Sequence, residues 1–419
     1  MKVEMEFEMA HNVRQLSRME IPGGGQVVVQ GDYAYVGHMK PPHGTSIIDV
    51  SDPANPTVVA HIEPPEWSHT HKVRVAGDLM ITNVEQDKRH FLRKGDKIPG
   101  LRAEGKNDTQ IAAELGVKPT DIAVLDEARE RGYTNGGFRV WDISDKTAPK
   151  LLSYVKTHGF GVHRFDMDEN YAYISTEMEG YVGNILVIYD LSDPTNPTEV
   201  SRWHMPGQHV AAGETPTGKG YSHRLHHAMR CGNEFWAACW HAGMRVLDCS
   251  DITKPRQIGS YIWPKAIPEP THTVMPLEQT INGRRYAIAI DEEHDHQPGR
   301  LHGFVWVMDV TDLNNIEAVA AWDLSERACP WVGQPGARFG AHQYREKLDS
   351  TLVYCTWFAG GLRVLDMADP LLPKEVAWFI PGAGPGGIPP QSNDVDVDDK
   401  GRIYLLDRNH GLDILEMTP

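Results

Sequence analysis

The most regular feature of the chain is an apolar strand that runs into a turn rich in Asp, Ser and Pro. The copies are IIDVSDPANP from Ile47, RVWDISDKTAP from Arg139, VIYDLSDPTNP from Val187, RVLDCSDITKP from Arg245, VMDVTDLNNI from Val307 and RVLDMADPLLP from Arg363, with a degenerate copy, GLDILEMTP, at the end. Asp and Ser side chains bond to nearby backbone in such turns, and Pro fixes the backbone angle that the turn needs. Each copy therefore predicts a corner between two strands.

Further strands flank each turn. A short strand follows it, as in PTVVAHI, and two strands of alternating apolar and polar residues precede it, as in DMDENYAYIST. Four strands in a unit of roughly 50 residues, repeated along the chain, is the pattern of a β-propeller. The seven copies predict an all-β, seven-bladed β-propeller that forms a single domain over residues 1–419. A β-sandwich and two separate domains are the alternatives.

The two ends of the chain complement each other. The last unit stops after its third strand, whereas the N-terminal segment RQLSRMEIPG has the pattern of a fourth strand without a unit of its own. An unpaired strand edge promotes aggregation, so propellers commonly close their circle of blades. We therefore expect residues near Arg14 to Pro22 to pair with the strand around Leu412 to Glu416.

The repeated apolar–Asp–Val/Ile–Ser–Asp–Pro turn resembles the LVIVD-repeat β-propeller proteins over nearly the whole chain. A more distant similarity is to selenium-binding protein, a methanethiol oxidase. Its DISDP turns and an IST-E stretch are similar to AYISTEMEG, from Ala172 to Gly180. These resemblances imply a propeller fold and leave the chemistry to the residues of this sequence.

Histidine recurs at one position of the predicted innermost strands. Aligning these strands on the pattern X-x-φ-x-φ, where φ is apolar, gives X as Gly25, His71, His163, His227, His272, His342 and Asn393. Inner strands line the central channel of a propeller, so equivalent positions form a ring at its mouth. Imidazoles that converge on one axis suit a divalent transition metal.

We predict that His71, His163, His227 and His342 bind one transition metal ion. Iron(II) or copper is favoured by ligands that are all histidines, and manganese or zinc are further candidates. Because one ion rarely takes five histidines, His272 is assigned to the substrate, with metal binding as its alternative. A one-residue slip of the alignment would exchange His227 for His226.

Acidic residues follow the second strand of several units. They are Glu85 in ITNVEQ, Glu177 in ISTEMEG, and Glu292 and Glu293 in AIDEEHDH. A metal-bound histidine usually donates its second N–H to a carboxylate, which fixes the tautomer. Glutamates at this end of the strands are placed for that role or for a base. We assign Glu177 and Glu293, with His272, as the catalytic residues.

One unit contains a long insertion, residues 86–135, between its second and third strands. The part from Asp108 to Arg131 has a helical apolar face, formed by Ile111, Leu115, Ile122, Leu125 and Ala128, with Pro119 as an interruption. Connections of this kind share a face with the histidine ring, so the insertion is predicted to be a helical lid over the channel mouth. It could also mediate homo-oligomer formation.

Composition excludes several classes of protein. The 41 Lys and Arg against 57 Asp and Glu give a net charge of −16, which disfavours nucleic-acid binding. The stretch Thr109 to Ala123 looks like a helix-turn-helix, but it occurs once and lies inside an insertion, so we do not expect it to bind DNA.

No apolar run is long enough for a membrane span, and the start lacks a signal-peptide core. Five cysteines without a CxxC pair suggest a reduced, cytoplasmic protein.

The function predicted from these features is that of a metal-dependent enzyme acting on a small organic substrate. An oxidoreductase or oxygenase is favoured, because iron or copper held by histidines can activate dioxygen. Trp and Arg residues on the same face would suit an aromatic or anionic substrate. A metal-dependent hydrolase or lyase is the first alternative, and a non-catalytic propeller scaffold is the second.

Overall fold

The computed structural model describes residues 9–217, 223–267, 269–294 and 296–418. The predicted domain, residues 1–419, extends beyond the described residues at both ends. The described chain consists of many small antiparallel sheets, together with one helical insertion and short 3₁₀ helices. The all-β prediction is confirmed.

Four consecutive strands at a time form most of the sheets. In chain order the strands are β1 (Met9–His11), β2 (Val13–Pro22), β3 (Gly24–Gln30), β4 (Tyr33–His38), β5 (Thr45–Asp49), β6 (Thr57–Ile62), β7 (Ser68–His69), β8 (Val73–Ala76), β9 (Leu79–Gln86), β10 (Gly137–Asp142), β11 (Lys150–Lys156), β12 (Val162–Met167), β13 (Tyr171–Thr176), β14 (Ile185–Asp190) and β15 (Thr198–Trp203). They continue with β16 (His227–Cys231), β17 (Glu234–Ala238), β18 (Met244–Asp248), β19 (Arg256–Tyr261), β20 (Thr271–Pro276), β21 (Tyr286–Asp291), β22 (Val305–Asp309), β23 (Glu317–Trp322), β24 (Phe339–Tyr344), β25 (Leu352–Phe358), β26 (Leu362–Asp366), β27 (Lys374–Ile380), β28 (Ser392–Val397), β29 (Arg402–Asp407) and β30 (His410–Met417). Strands β3–β6, β12–β15, β16–β19 and β20–β23 are separate four-stranded sheets, and β8–β11 form a similar group to which β7 is added.

The repeated Asp turns have one local geometry. Oδ1 of the leading Asp accepts a hydrogen bond from the backbone N–H two residues later, as between Asp49 and Ser51 at 2.9 Å. The same bond joins Asp190 to Ser192 at 2.7 Å. It recurs at the copies that begin with Asp142, Asp248, Asp309 and Asp366. In these six copies the side chain thus stabilises the corner between the third and fourth strands, as the sequence predicts, whereas Asp413 of the degenerate copy bonds to Gln15 and Arg18.

The first strands of neighbouring units surround a common axis. They contact one another in the cyclic order β3, β8, β12, β16, β20, β24 and β28, and β28 contacts β3 again. Apolar side chains fill the space between adjacent sheets; Trp236, Ala287 and Met308 belong to one such cluster and are fully buried. The polar ends of the first strands are therefore brought together at the axis.

The N-terminal strands join the last part of the chain. Strand β2 pairs antiparallel with β30, with Arg14 opposite Glu416 and Met19 opposite Leu412. Strand β1 pairs with β27. Strands β24–β27 and β28–β30 belong to one nine-stranded sheet, although β25 and β28 are linked only through the pair Phe358 and Ser392.

The helices lie mainly in the insertion. They are α1 (Arg89–Leu92), α2 (Ile98–Ala103), α3 (Asp108–Leu115) and α4 (Asp121–Arg131). Short 3₁₀ helices span Arg93–Lys97, Val210–Ala212, Glu326–Ala328 and Pro385–Gly387. Within the described residues, none of these helices has the length and apolar character needed to cross a membrane.

The insertion has its own apolar core and rests on the neighbouring sheets. Helices α3 and α4 bury all five predicted apolar residues, and Ile98 and Leu101 of α2 pack with them. The Arg131 guanidinium lies 3.8 Å from the centre of the Trp67 ring. The Tyr133 and Ser68 hydroxyls are 2.9 Å apart. The insertion is therefore anchored beside β7, next to the first-strand ends.

Candidate metal centre

Five imidazoles form a continuous arc around the axis. Successive ring centres are 5.3 Å apart for His71 and His163, 5.0 Å for His163 and His226, 4.1 Å for His226 and His272, and 4.5 Å for His272 and His342. Four of these residues are at most 4% exposed, and the His163 side chain is 14% exposed. The structure thus brings together four of the five predicted ring histidines, with His226 in the remaining place.

His227 lies outside this arc. Its Nε2 is 3.1 Å from Oε1 of Glu346, a buried carboxylate that is also held by Arg74 and Arg164. The difference from the predicted alignment has a local cause. In the pairing of β12 with β13, His163 has no partner residue because the register shifts there, and His272 is skipped in the same way where β20 pairs with β21. Strand β16 pairs with β17 from His227 onward without a register shift. A bulge displaces a residue by one position, so the aligned position falls on His226 in this strand.

Glu85 fixes the orientation of His163. The His163 Nδ1–H points at Oε2 of Glu85, 3.2 Å away, and the same oxygen is 2.9 Å from Nε2 of His69. Oε1 of Glu85 forms an ion pair with Arg89 of α1 at 2.9 Å. Because His163 donates through Nδ1, its Nε2 carries the lone pair in the neutral ring. This is the carboxylate–histidine arrangement that orients metal ligands.

Three further imidazoles are fixed in the same tautomer. The Nδ1–H of His226 donates to the carbonyl of His272 at 2.7 Å, and that of His342 donates to the carbonyl of Asn393. The Nδ1–H of His272 donates to the Thr273 hydroxyl at 2.9 Å, because that hydroxyl itself donates to Gln343. Nε2 is thus left as a free donor atom in each of these rings.

The free Nε2 atoms converge with one carboxylate. The Nε2 atoms of His163 and His226 are 3.2 Å apart. Oxygens of Glu292 lie 3.9 Å from Nε2 of both His272 and His342. The ligand atoms offered by His226, His272 and Glu292 all lie within 4.8 Å of one another. Two nitrogens bound to one ion at about 2.1 Å are about 3.0–3.4 Å apart, so a metal ion fits this spacing.

His71 differs from the other four. The Asn83 side-chain amide donates to its Nδ1 at 3.2 Å, so the ring hydrogen of neutral His71 is on Nε2. His71 instead forms a second group with His69 and Glu85, whose ligand atoms also lie within 4.8 Å of one another. It is therefore less suited than its neighbours to bind the central ion through Nε2.

Burial keeps the ring imidazoles neutral. Loss of solvent, followed by repulsion from nearby cations, lowers the pKa of His71, His163, His226, His272 and His342 well below the usual value. Metal ions bind the neutral imidazole, and a protonated ring would have to lose its proton first. The pocket thus holds these side chains in the form that a metal requires.

Glu292 is ionised among positive groups. Burial alone would raise its pKa, but attraction to His294 and to the guanidinium groups of Arg338 and Arg408 outweighs burial and leaves the pKa well below its usual value. An Arg338 nitrogen is 3.2 Å from Oε1 of Glu292. Glu292 therefore offers a charged oxygen beside the ring, where it can serve as a ligand or a base.

The two predicted catalytic glutamates lie elsewhere. The Glu177 carboxylate forms an ion pair with Arg93 of the insertion and accepts the backbone N–H of Phe160 at 3.2 Å. Oε2 of Glu293 accepts the backbone N–H of Gly303 at 2.8 Å. Glu292 is the glutamate that lies beside the imidazoles, because the side chains of the two adjacent residues after β21 point in opposite directions.

The sequence analysis missed Glu346, the carboxylate that bonds to His227. Glu346 does not occupy a repeated position, so no periodic pattern marks it.

Aromatic side chains form two walls of the ring. Trp240 packs on His226 with ring centres 5.1 Å apart, and Phe358 packs on His342 at 4.8 Å. They occupy equivalent positions in WHAGMRVLD and FAGGLRVLD, and both have positive φ, 55° for Trp240 and 38° for Phe358. Such strained backbone often occurs at functional sites. Beyond Trp240 lies a cavity of about 900 Å³, lined also by Met205, His241 and Trp263.

Comparison with known proteins supports the fold. The LVIVD repeat model matches residues 24–63, 132–157 and 166–204, so the chain is a repeat protein of the propeller type. The crystal structure of the N-terminal domain of Nup159 is similar, with 10% identity, coverage of 96% of this chain and 95% of that one, and a TM-score of 0.52. No curated protein matches the sequence significantly.

A second solved structure is comparable. A chain of a complex of S. cerevisiae Dbp5 with Nup159 and Gle1 has 8% identity, coverage of 96% and 94%, and a TM-score of 0.50. Similarity at this identity concerns the fold alone. The chain thus has a propeller-like fold and contains segments that match the LVIVD repeat, and its function has to be inferred from the site.

Proposed function

We propose that the protein is a metalloenzyme with one transition metal ion on the propeller axis, bound by His163, His226, His272 and His342. The observation that carries this proposal is the 3.2 Å approach of the Nε2 atoms of His163 and His226. Both rings use Nδ1–H for other acceptors, so in the neutral state no hydrogen lies between the two nitrogens. A cation between them turns a repulsive contact into a favourable one.

The chemistry is that of an oxidoreductase acting on a small organic substrate. Four imidazoles without a thiolate suit iron or copper, which supply one-electron and dioxygen chemistry when bound. Glu292 provides a base within reach of the ring, and His272 is reassigned from substrate to metal because its free Nε2 faces the same carboxylate.

The substrate is an organic anion with an apolar or aromatic part. Arg338 and Arg408 both lie near Glu292, and Arg338 stacks 3.8 Å from the centre of the Phe358 ring. The pKa of half-buried Arg408 is lowered to about 10, mainly by loss of solvent and by repulsion from Arg338. An anionic group would relieve that repulsion. The cavity beside Trp240 offers room for the apolar part.

The scaffold of this centre is a seven-bladed propeller, closed when β2 completes the last blade. Support comes from the cyclic contacts of the first strands and from the pairing of β2 with β30. The insertion over residues 86–135 covers one side of the channel mouth. Its first helix supports this placement, because Arg89 reaches Glu85 and His90 is within electrostatic range of Glu292 and His294.

Elemental analysis of protein prepared without a histidine tag tests the centre. We expect close to one iron or copper per chain, lost in a His163→Ala/His226→Ala double variant that keeps its circular dichroism spectrum. Unchanged metal content in this double variant would refute the assignment. His204→Ala is a matched control, because His204 also neighbours a carboxylate, Glu214 at 3.9 Å, but lies outside the ring.

A further inference from the structure

A second group of metal-ligand side chains lies outside the ring. His296 and His302 belong to the connection between β21 and β22, and Glu326 opens the 3₁₀ helix after β23. Their ligand atoms lie within 4.8 Å of one another. Both rings pack on Phe339, with centres 5.3 Å away for His296 and 5.1 Å for His302. Residues from two connections therefore meet at one fixed point.

Each imidazole has a carboxylate partner. Nε2 of His296 is 2.9 Å from Oε1 of Glu326, which also accepts the backbone N–H of Gly299 at 2.9 Å. Nε2 of His302 is 2.7 Å from Oδ1 of Asp323. The His296 and His302 side chains are only 6% and 8% exposed. These bonds orient both rings. Nε2 of His296 and Oε1 of Glu326 lie close enough to share one ion, and the bond to Asp323 leaves Nδ1 of His302 for another partner.

The Nδ1 atom of His302 is buried without a hydrogen-bond partner among the described residues. Burial lowers the pKa of His302, but Asp323, Glu293 and a contact with the Arg300 backbone together raise it; that backbone contact falls outside ordinary hydrogen-bond geometry. A buried polar atom without a partner costs about 1–3 kcal/mol, whether it carries a hydrogen or a lone pair. The ion pair with Asp323 uses Nε2 of His302, so it does not account for the burial of Nδ1.

Negative charge exceeds positive charge around the two rings. Glu326 is ionised, because hydrogen bonds from His296 and Gly299 lower its pKa. Asp323 contacts His302, and the buried Glu293 carboxylate interacts with both imidazoles. Two imidazoles near three carboxylates create a site that favours a divalent cation.

We propose that His296, His302 and Glu326 bind a second metal ion, of the zinc type. Two imidazoles and one carboxylate are a common three-residue zinc set, with a fourth position open to water. Asp323 is a positioning residue that holds His302 through Nε2. The ion pins the connection that also carries Glu292 and thereby stabilises one wall of the central ring.

Titration of chelator-stripped, untagged full-length protein with Zn²⁺ alone tests this site. We expect two equivalents to bind. Glu326→Gln and His302→Ala should each lose one equivalent or weaken it at least tenfold, whereas His226→Ala should lose the other. Glu326→Gln is the decisive variant, because its side chain is 24% exposed and the change preserves shape. Asp323→Asn should weaken this equivalent by about 10–100-fold.

The outcomes separate the second site from the central one. If the central proposal fails, wild-type protein binds one equivalent that is sensitive to Glu326→Gln and insensitive to His226→Ala. If Zn²⁺ binding is the same in wild type, Glu326→Gln and His302→Ala, the second site does not exist and His302 is simply an ion-pair partner of Asp323. His204→Ala should leave both equivalents in place.

Discussion

Nε2 of His227 lies 3.1 Å from Oε1 of Glu346, whereas the neighbouring His226 belongs to the ring of imidazoles. The Nδ1 atoms of these two histidines are 3.2 Å apart, but their Nε2 atoms have different partners. His226 faces His163 across 3.2 Å, whereas His227 helps Arg74 and Arg164 to neutralise a buried carboxylate. The roles of the two Nε2 atoms can therefore be separated by replacing one histidine at a time.

Replacing His226 should affect mainly metal binding, whereas replacing His227 should affect mainly the stability of the fold. His226→Ala should reduce bound metal at least tenfold with little loss of fold, because it removes a free Nε2. His227→Ala should leave the metal and lower the free energy of unfolding by about 1–3 kcal/mol, since Glu346 loses one hydrogen-bond donor. Metal analysis and urea unfolding of both variants measure this. Metal loss in His227→Ala alone would contradict the assignment.

Glu85 should tune the metal through His163 without binding it. Glu85→Gln removes the charge that His163 and Arg89 share but keeps the shape of the side chain. We expect metal affinity to fall by about 10–100-fold, as for other carboxylates that support a ligating histidine. Glu177→Gln is the control, because Glu177 pairs with Arg93 of the insertion. Chelator competition compares the two, and equal affinities would remove Glu85 from the site.

His38 should make stability depend on pH. It bonds to the Pro22 carbonyl at 2.9 Å and to the Ser46 hydroxyl at 2.8 Å. Burial is the main cause that lowers its pKa from 6.5 to about 4. Because the unfolded chain takes up the proton first, stability is full above about pH 6.5 and falls by up to about 1.4 kcal/mol per pH unit down to about pH 4.

Urea unfolding at pH 7.5 and 5 measures this effect in the wild type and in His38→Gln. Gln does not titrate, so the variant should lose less stability between the two pH values than the wild type. The buried ring histidines also take up protons in the unfolded chain over this range, so the quantity of interest is the difference between the two proteins. An identical pH dependence would show that His38 takes up its proton in the folded state at its ordinary pKa.

The repeated turns made the fold predictable. Each Asp that opens a turn bonds to the backbone two residues later, so short-range chemistry alone marks the end of the third strand in each unit. Helices α3 and α4 were equally predictable, because the positions of Ile111 and Leu125 follow a helical period. The turn motif and the helical spacing both depend only on residues close together in the sequence, which is why they can be recognised without the structure.

At two positions of the site the sequence led only to the neighbouring residue: to His227 in place of His226, and to Glu293 in place of Glu292. Bulges at His163 and His272 have no counterpart at the start of β16, and a register of this kind depends on pairing with the next strand. The choice between Glu292 and Glu293 depends in the same way on the direction of the backbone as it leaves β21. Sequence patterns identify strands, but they do not record such single-residue offsets.

Removing residues 1–22 should cause aggregation. The deletion takes away β2, whose register with β30 covers Leu412 and Ile414, and it exposes the edge of that strand. An open apolar edge invites pairing with other chains. Size-exclusion chromatography and thermal melting measure the outcome. Arg14→Ala, which loses one exposed ion pair with Glu416, should remain soluble and melt normally. A soluble truncated chain with unchanged melting would contradict closure by β2.

Replacing residues 93–131 with a short Gly/Ser linker should open the centre without emptying it. The change removes the contacts of Arg93 with Glu177 and of Arg131 with Trp67, but it keeps Arg89 on Glu85. Bound metal should therefore stay near the wild-type level. A chelator should remove it several-fold faster, because a cover that excludes solvent has gone.

The double variant Arg93→Gln/Arg131→Gln tests whether the insertion must be fastened to the sheets in order to shield the metal, or whether its presence alone is enough. It keeps the core formed by Ile98, Ile111 and Leu125 but loosens the two contacts that fasten the insertion to the sheets. Its rate of metal removal should lie between those of the wild type and the linker protein. If all three proteins released metal at one rate, the insertion would not control access to the ring, and the apolar core of α2 to α4 would serve only its own stability.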